Sequence, residues 1–548
     1  MAETVDTGQP AFGQPLGKAV FFGGAIRTLR PDRPLLEAVG VAGGRIVCTG
    51  SRAEVQSRLT TGDGRRPRPV DLKGLALFPG LVDAHTHLGS YGLRLDWVDL
   101  DGVASLEEAC GTVARAAAGA APGKWVRGGG WNKNLWAGGR LPTRADLDRA
   151  APGNPVALSS KDGHALWLNS EALRRAGITR DTPDPPGGEI VRDRSGEPTG
   201  ILKEKAMDLG YRVVEQPSPE EYAACLERAV RLANAHGLVG VHDMEGRSSF
   251  RACQALAAAG RLSLRVWMYL PAEHLGSLED VGLEGGFGGP YLTVAGVKAF
   301  LDGALGSQTA DLLRPYEGSQ GHGLPTMEAE AFTDLVARAV RAGLPVAVHA
   351  IGDRANRKAL DAFEANLAAT RAARLRHRIE HAQLVHPDDI PRFGRLGVVA
   401  SMQPIHAPSD RDIAERYWGK RCADAYAWRA LADAGVELAF GSDVPVETLD
   451  PIQGLYAAVT RKHPLDPERG PWYAEQALTL PEALWAYTGG AARAVGAERE
   501  MGTIEVGKRA DFTVLSDDVL ADGFDPEALL RVRVVATVVG GSVVHGEL

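Results

Sequence analysis

The chain has 548 residues, of which 44% are apolar and 24% are charged, and its formal net charge is −8. This is the mix of an ordinary soluble globular protein, and the length suffices for a barrel plus a small accessory domain. The acidic balance and the lack of any Lys/Arg-rich run exclude a nucleic-acid-binding class. No uninterrupted apolar run approaches the length of a membrane span, so we expect no membrane partner.

The cysteines and the first residues bear on the cellular compartment. The five cysteines are odd in number, lie far apart and include no Cys-x-x-Cys pair. Such thiols are typical of a reducing compartment. The first residues are rich in Gly, Pro and Thr and lack the basic start and apolar core of a signal peptide. We therefore predict a flexible N-terminus over 1–17 and a cytoplasmic protein.

The two ends of the chain share a strand-rich texture. Residues 18–77 carry β-branched runs separated by Gly-Gly turns, and the same texture returns in 500–548. This pattern favours a small antiparallel sheet. Either end alone would leave a sheet face uncovered. We therefore predict one small β-sandwich domain built from 18–77 and 500–548.

Between these ends, the pattern indicates an α/β barrel over 78–499. An apolar run ends at His85 and His87, and a helix over 219–236, followed by Gly237 as a C-cap candidate, begins an alternation of helices and strands. With the run ending at His87, there are eight strand candidates, the others being 238–243, 265–269, 294–300, 345–349, 377–381, 397–401 and 437–441. We predict a (β/α)8 TIM barrel with its chemistry at the C-terminal strand ends.

Residues 88–213 separate the first strand from this alternation. A structureless loop of that length is improbable, so we interpret the segment as a folded insertion that shapes the substrate pocket. Its candidates for substrate binding are Trp131, Asn132 and His164. For Trp131 and His164, core packing is about as probable as substrate contact.

Polar side chains fall at the ends of the predicted strands. His85 and His87 face the same way along a strand and can share a metal, although a bare His-x-His pair is also explained by buried, hydrogen-bonded histidines. His349 and His381 close two later strands, and Asp443 follows the last. Imidazole and carboxylate donors suit Zn²⁺, with Mn²⁺, Fe²⁺ or Co²⁺ as alternatives.

Lys298 lies within an apolar strand. A lysine there is costly to bury in its charged form, so it must be paired or chemically altered. It is followed by Asp302 in the motif KAFLDG.

Five motifs follow one another along the chain: PGLVDAHTH (79–87), KAFLDG (298–303), VHAIGD (348–353), RIEH (378–381) and FGSD (440–443). Taken together, they resemble the amidohydrolase superfamily, in particular its amidohydrolase 3 or YtcJ-like branch, which includes N-substituted formamide deformylase-like enzymes. Two insertion pieces, DGH (162–164) and PGG (186–188), extend the likeness over nearly the whole chain.

The resemblance implies a role for each of these positions. His85, His87 and Asp443 would bind the more buried metal, while His349 and His381 would bind a second one. Lys298, carbamylated by CO₂, would bridge both metals. Some relatives keep one metal or an unmodified lysine, so one or two ions per chain are expected.

The expected activity is hydrolysis of a carbon–nitrogen bond other than a peptide bond, in an amide or N-acyl small molecule. A metal-activated water would attack the carbonyl group, with Asp443 as general base and then general acid. His164, or Trp131 with Asn132, would position the carbonyl oxygen.

Several other polar residues receive supporting roles. Four are expected to hold ligands through hydrogen bonds: Asp302, Asp353, Arg354 and Glu380. Two sit at another strand end and are expected to be structural, because the ligand set is complete without them: His242 and Asp243. Three are expected to be solvent-facing or structural, in loops or the terminal sheet: His322, His406 and His545.

Two rival functions remain open at this point. The same scaffold could serve a metal-dependent isomerase or decarboxylase, since fold and ligands do not fix the substrate. A non-catalytic, metal-stabilised regulatory protein is the second rival, although it would have no need of a base beside a metal-bound water. The partner is expected to be a small-molecule substrate, while its identity, the metal and a homodimeric state are left open.

Overall fold

The computed structural model describes residues 13–61, 65–95, 97–214 and 217–548. Its centre is a sheet of eight parallel strands that neighbour one another in chain order. These barrel strands are β1 (Leu81–Thr86), β2 (Leu238–Asp243), β3 (Arg265–Pro271), β4 (Leu292–Phe300), β5 (Val346–Ala350), β6 (Arg378–His381), β7 (Val399–Met402) and β8 (Leu438–Phe440). Each corresponds to one of the eight predicted strands, so the predicted barrel is confirmed.

Main-chain hydrogen bonds just beyond β8 join the last strand to the first. The N–H of Asp443 donates to the carbonyl of His85 (2.8 Å), and the N–H of His87 donates to the carbonyl of Val444 (2.8 Å). Closure of the barrel therefore places Asp443 beside the two histidines that end β1.

Helices alternate with the barrel strands. The helix Pro219–Ala235 begins where Ser218 and Glu221 form a capping box and ends just before Gly237, whose φ of 84° is accessible to glycine at little cost. The remaining barrel helices are Arg247–Ala258, Leu275–Asp280, Ala329–Arg341, Asp353–Ala365, Leu367–Ala372, Ile390–Leu396, His406–Trp418, Trp428–Asp433, Pro451–Thr460, Leu480–Trp485 and Ala491–Ala494, with a π-helical turn at Ala486–Gly490.

Residues 88–213 contain a second sheet, here called the insertion sheet. Its six strands, in spatial order, are Gly188–Arg192, Pro198–Glu204, Ala165–Leu168, Val156–Ser160, Val126–Trp131 and Val98–Asp99. Its helices are Leu88–Arg94, Leu106–Gly119, Arg144–Ala150, Ser170–Ala176 and Met207–Tyr211. The sheet carries its own apolar clusters on both faces.

The two chain ends meet in a third sheet, here called the terminal sheet. Phe512–Leu515 pairs antiparallel with Ala76–Pro79, and the rings of Phe21 and Phe512 meet edge to face at 5.3 Å. In spatial order its strands are Gln14–Pro15, Ser542–Gly546, Val534–Val539, Phe512–Leu515, Ala76–Pro79, Ala19–Arg27, Leu35–Ala42 and Arg45–Gly50, with Arg68–Asp71 beside Ala19–Arg27. A helix, Arg52–Thr60, packs on it. The hydrogen-bonded unit is therefore one nine-stranded sheet drawn from both termini.

Residues 1–12 of the predicted flexible N-terminus lie outside the described residues. Within the described part of the chain, no helix combines the length and apolar content needed to cross a bilayer. The five cysteines are all free thiols.

Candidate metal centre

The ends of β1 and β8 are fixed to each other by one buried carboxylate. Oδ1 of Asp83 accepts hydrogen bonds from the N–H groups of His85 and Ser442, both at 3.0 Å. Only glycine fits at position 441, because a Cβ there would lie 2.4 Å from the His85 nitrogen. Asp443 itself has a φ of 60°, a conformation that costs free energy for a residue with a Cβ. The turn thus holds Asp443 over the site.

Asp443 lies between two groups of side chains of the types that can hold a metal ion. In the first group, Nε2 of His85 and Nε2 of His87 each lie 3.4 Å from its Oδ1. In the second group, the imidazoles of His381 and His406 approach its Oδ2 to 4.0 and 3.8 Å. Each group offers three ligand atoms within 4.8 Å of one another. These spacings suit a metal ion that draws the ligands together.

The protonation of this cluster suits a cation. Burial and the nearby charge of Lys298 lower the pKa of His85 to about 4, so its imidazole is neutral at pH 7, the form that binds a metal. Burial opposes ionisation of Asp443, but its interactions with His85 and its hydrogen bond with His87 hold the pKa of that carboxyl below its usual value. The site therefore offers the neutral nitrogen of His85 and an anionic oxygen.

His406 is placed differently from the prediction. It begins the helix that follows β7 and is only 7% exposed, with its ring aimed at Asp443. The expectation of a solvent-facing histidine was wrong, because this helix starts over the barrel mouth. Its position four residues past the end of a barrel strand was the sequence signal that could have identified it.

His349 and Lys298 also reach the site. The imidazole ring of His349 lies 4.4 Å from that of His381 between centroids, while its Nε2 contacts the carbonyl of Gly303 at 3.1 Å and Oδ1 of Asp302 at 3.6 Å. Nζ of Lys298 is buried and has no hydrogen-bond partner among the described residues. Burial lowers the pKa of Lys298 to about 8, which increases the share of neutral amine, the form that reacts with CO₂. An orphaned buried amine beside these ligands fits a carbamate.

Further buried groups orient the imidazole ring of His85. Oε2 of Glu380 accepts a hydrogen bond from Nδ1–H of His85 at 2.6 Å, which leaves Nε2 free for a metal. Arg378 pairs with Glu380 (2.5 Å from Nε to Oε1) and also donates to Nδ1 of His242 at 2.7 Å. Sequence reasoning passed over Arg378, although a charged residue within a buried strand pattern is itself a signal.

Of the other predicted supporting residues, Asp302 lies nearest to a ligand. Its carboxylate accepts from the main-chain N–H groups of Ile351, Gly352 and Asp311, and burial raises its pKa to about 8. The next two bond to a neighbouring loop: Asp353 accepts from Leu313 N–H, and Arg354 contacts His322 at 3.0 Å. Asp243 accepts from Leu88 N–H and Ser249 Oγ–H. His545 lies on the terminal-sheet strand Ser542–Gly546.

The predicted substrate residues differ from one another in placement. The imidazole ring of His164 lies 5.2 Å from that of His349, measured between centroids. Burial opposes a positive charge on His164, but the carboxylate of Glu204, 2.9 Å from its Nδ1, raises the pKa of His164 to about 9. Trp131 is 2% exposed, and its indole N–H donates to the carbonyl of Leu158. It borders the cavity but packs mainly in the insertion core. Oδ1 of Asn132 accepts from the main-chain N–H of Asn134.

Two adjoining cavities open onto the cluster. One, of about 200 Å³, lies between Trp131, His164 and the start of the helix at His406. The other, of about 670 Å³, extends from His87 and Lys298 along the insertion and has a more apolar wall, with Met207 and Phe300 among its residues. Both cavities meet at His349, His381 and Asp443, so a ligand in either one would touch the cluster.

The eight-stranded barrel and the His/Asp cluster at its mouth indicate a metal-dependent barrel protein, and comparison with known proteins agrees. Residues 68–545 match the Amidohydrolase family. The putative amidohydrolase YtcJ of Bacillus subtilis (strain 168) is 35% identical over 538 residues, which cover 96% of this chain and 99% of the relative. The N-substituted formamide deformylase of Arthrobacter pascens is 32% identical over 517 residues, which cover 90% of this chain and 92% of the relative.

A solved structure gives the same result. The crystal structure of an uncharacterized metal-dependent hydrolase from Pyrococcus horikoshii OT3 superposes with a TM-score of 0.75 at 33% identity, covering 92% of this chain and 98% of that chain. The chain belongs to the Amidohydrolase family, and the resemblance of its motifs to the YtcJ-like branch is confirmed.

Proposed function

We propose that this protein hydrolyses a carbon–nitrogen bond other than a peptide bond, in an amide or N-acyl small molecule. The observation that carries the proposal is the position of Asp443 between two imidazole groups at the barrel mouth. A relative that is named as an N-substituted formamide deformylase supports the amide class. The two cavities would accommodate the parts of the substrate on either side of the scissile bond.

One or two divalent ions, with Zn²⁺ first and Mn²⁺, Fe²⁺ or Co²⁺ as alternatives, would be held here. His85, His87 and Asp443 would bind one, and His381 with His349 would bind the other, with a carbamate on Lys298 between them. Such an ion lowers the pKa of water and polarises a carbonyl group. The orphaned Nζ of Lys298 and the free Nε2 of His85 fit this assignment.

The chain's own residues would handle the protons. Asp443, held ionised by its histidine neighbours, would accept the proton of the attacking water. It would then pass that proton to the leaving nitrogen, so that the amine leaves neutral. His164, kept protonated by Glu204, would donate a hydrogen bond to the carbonyl oxygen as negative charge develops there.

A panel of N-acyl compounds tests the proposal. We expect release of the amine and of an acid carrying ¹⁸O when the reaction is run in H₂¹⁸O. Asp443→Asn should lower kcat by at least about 100-fold while metal content, measured in parallel, is retained. Exposed His274, with Nε2 3.7 Å from Glu273, provides the control variant His274→Ala. Products without ¹⁸O would favour an isomerase or decarboxylase, and no turnover at all would favour a binding protein.

Removal of the lysine tests the metal arrangement. Wild-type protein should carry about two metals per chain, and its intact mass under native conditions should include one CO₂. In Lys298→Ala, both the second metal and the CO₂ should be lost. One metal per chain in both proteins would contradict the bridging role of Lys298.

A further inference from the structure

His406 has an unpartnered nitrogen aimed into the site. Its Nε2 is buried and has no hydrogen-bond partner among the described residues, and it lies 3.8 Å from Oδ2 of Asp443. The side chain borders the smaller cavity together with His349 and His381. Nothing in the hydrolytic scheme above uses this group.

The partner of Nδ1 separates His406 from two of the histidines proposed as ligands, His85 and His381. At His85, Nδ1 faces the carboxylate of Glu380 (2.6 Å), and at His381 it faces Oε1 of Gln403 (2.8 Å). Both partners are acceptors, so these rings carry their proton on Nδ1 and present the lone pair of Nε2 to a metal.

His406 has the opposite arrangement. Its Nδ1 lies 3.1 Å from Nε2 of Gln383, an amide nitrogen that can only donate. With the Gln383 amide in this orientation, Nδ1 accepts, and the neutral ring carries its proton on Nε2. A proton there also faces the carboxylate of Asp443 favourably, whereas a lone pair in the same place would be repelled by it.

We propose that His406 is a hydrogen-bond donor to the substrate and not a metal ligand. This rests on the proposed hydrolysis. Because 3.8 Å is too long for a hydrogen bond to Asp443, Nε2–H remains available for an acceptor atom placed beside that carboxylate. The acceptor is the carbonyl oxygen, on which charge develops during attack. His406, at the start of the helix after β7, and His164, in the insertion, would then both donate to this oxygen. A substrate of this class must therefore present an accessible oxygen acceptor at the scissile bond.

The tautomer can be measured directly. Protein labelled with ¹⁵N-histidine and loaded with Zn²⁺ is compared with the same protein carrying His406→Gln, and the resonances that disappear belong to His406. We expect Nε2 protonated, Nδ1 unprotonated, and equal metal content in both proteins. Protonation on Nδ1, or loss of a metal in His406→Gln, would overturn the proposal.

Gln383→Glu provides the matched perturbation. A carboxylate at 383 accepts from Nδ1–H, so it should move the proton of His406 to Nδ1 while metal content is unchanged. Gln403→Glu is the control for this readout, because His381 already faces an acceptor and its tautomer should stay as it is. An unchanged His406 tautomer in Gln383→Glu would contradict the role given to Gln383.

Kinetics then separate this proposal from the proposed function. With a hydrolysed N-acyl substrate, His406→Gln should lower kcat by about 100-fold with little change in KM. Wild-type kcat in His406→Gln would overturn the donor role while leaving hydrolysis intact. If wild-type protein hydrolyses nothing on the panel, the proposed function fails, and the tautomer and metal measurements still decide whether His406 is a donor or a ligand.

Discussion

Two buried arginine–carboxylate pairs in this protein have the same chemistry and different surroundings. Arg265, at the start of β3, pairs with Asp511 and joins the barrel to the terminal sheet, with both side chains at most 3% exposed. Arg378, at the start of β6, pairs with Glu380 inside the barrel, where both are fully buried. The charges must be matched in either place, since an unpaired buried charge is costly.

The two pairs differ in where the remaining hydrogen bonds go. Arg265 and Asp511 form two parallel bonds of 2.6 and 2.7 Å, and the rest of their capacity is satisfied by main-chain groups of Pro290 and Gly540. Glu380 instead extends to Nδ1 of His85. The Arg265–Asp511 pair therefore holds the terminal sheet against the barrel, while the Arg378–Glu380 pair fixes the tautomer of His85, a candidate ligand. Variants of each should affect different measurements.

The largest effect on stability is expected for Arg265→Leu. This variant leaves Asp511 buried without its cation, which costs about 3–5 kcal/mol, so the midpoint of thermal unfolding should fall by several degrees. Metal content of the folded protein should not change. The double variant Arg265→Leu/Asp511→Leu should recover much of the loss, and a single variant that unfolds at the wild-type temperature would contradict a stabilising role.

Glu380→Gln should act mainly on the site. The amide keeps the shape of the carboxylate but accepts less strongly from His85, so metal affinity should fall about 10–100-fold. Competition with a chelator of known affinity measures this change. Asp511→Asn is the matched control, because it alters a buried carboxylate with no contact to a ligand, and equal losses of metal affinity in both variants would remove the distinction between the pairs.

The barrel and most of its polar strand ends could be predicted from the sequence. Apolar runs of strand length alternate with helical periodicity, and parallel strands bring their carboxyl ends together, so His85, His381 and Asp443 were expected to meet. His406 could not be placed in the same way. It lies past the end of β7, and only the start of the following helix turns its ring toward the site.

The insertion sheet shows a second limit of sequence reasoning. Its strand Val126–Trp131 contains three successive glycines, which by propensity indicate a loop. The structure requires small residues there, because a Cβ at Gly128 would lie 2.4 Å from the carbonyl oxygen of Val98 in the neighbouring strand. Close strand packing, which is a tertiary effect, overrides local propensity at this point.

An exposed pair provides the weakest and most pH-sensitive case. Glu482 caps the helix Leu480–Trp485 and accepts two bonds of 2.9 Å from Arg429, but its side chain is 39% exposed. Solvent screening limits the cost of Glu482→Gln to about 1 kcal/mol or less, well below that of Arg265→Leu. The bonds from Arg429 lower the pKa of Glu482 from 4.5 to about 2, so the stabilisation is present above pH 4.5 and disappears as pH falls toward 2. Thermal unfolding of both proteins between pH 7 and pH 3 should show a small difference that shrinks on acidification, and a difference that grows instead would contradict the assignment.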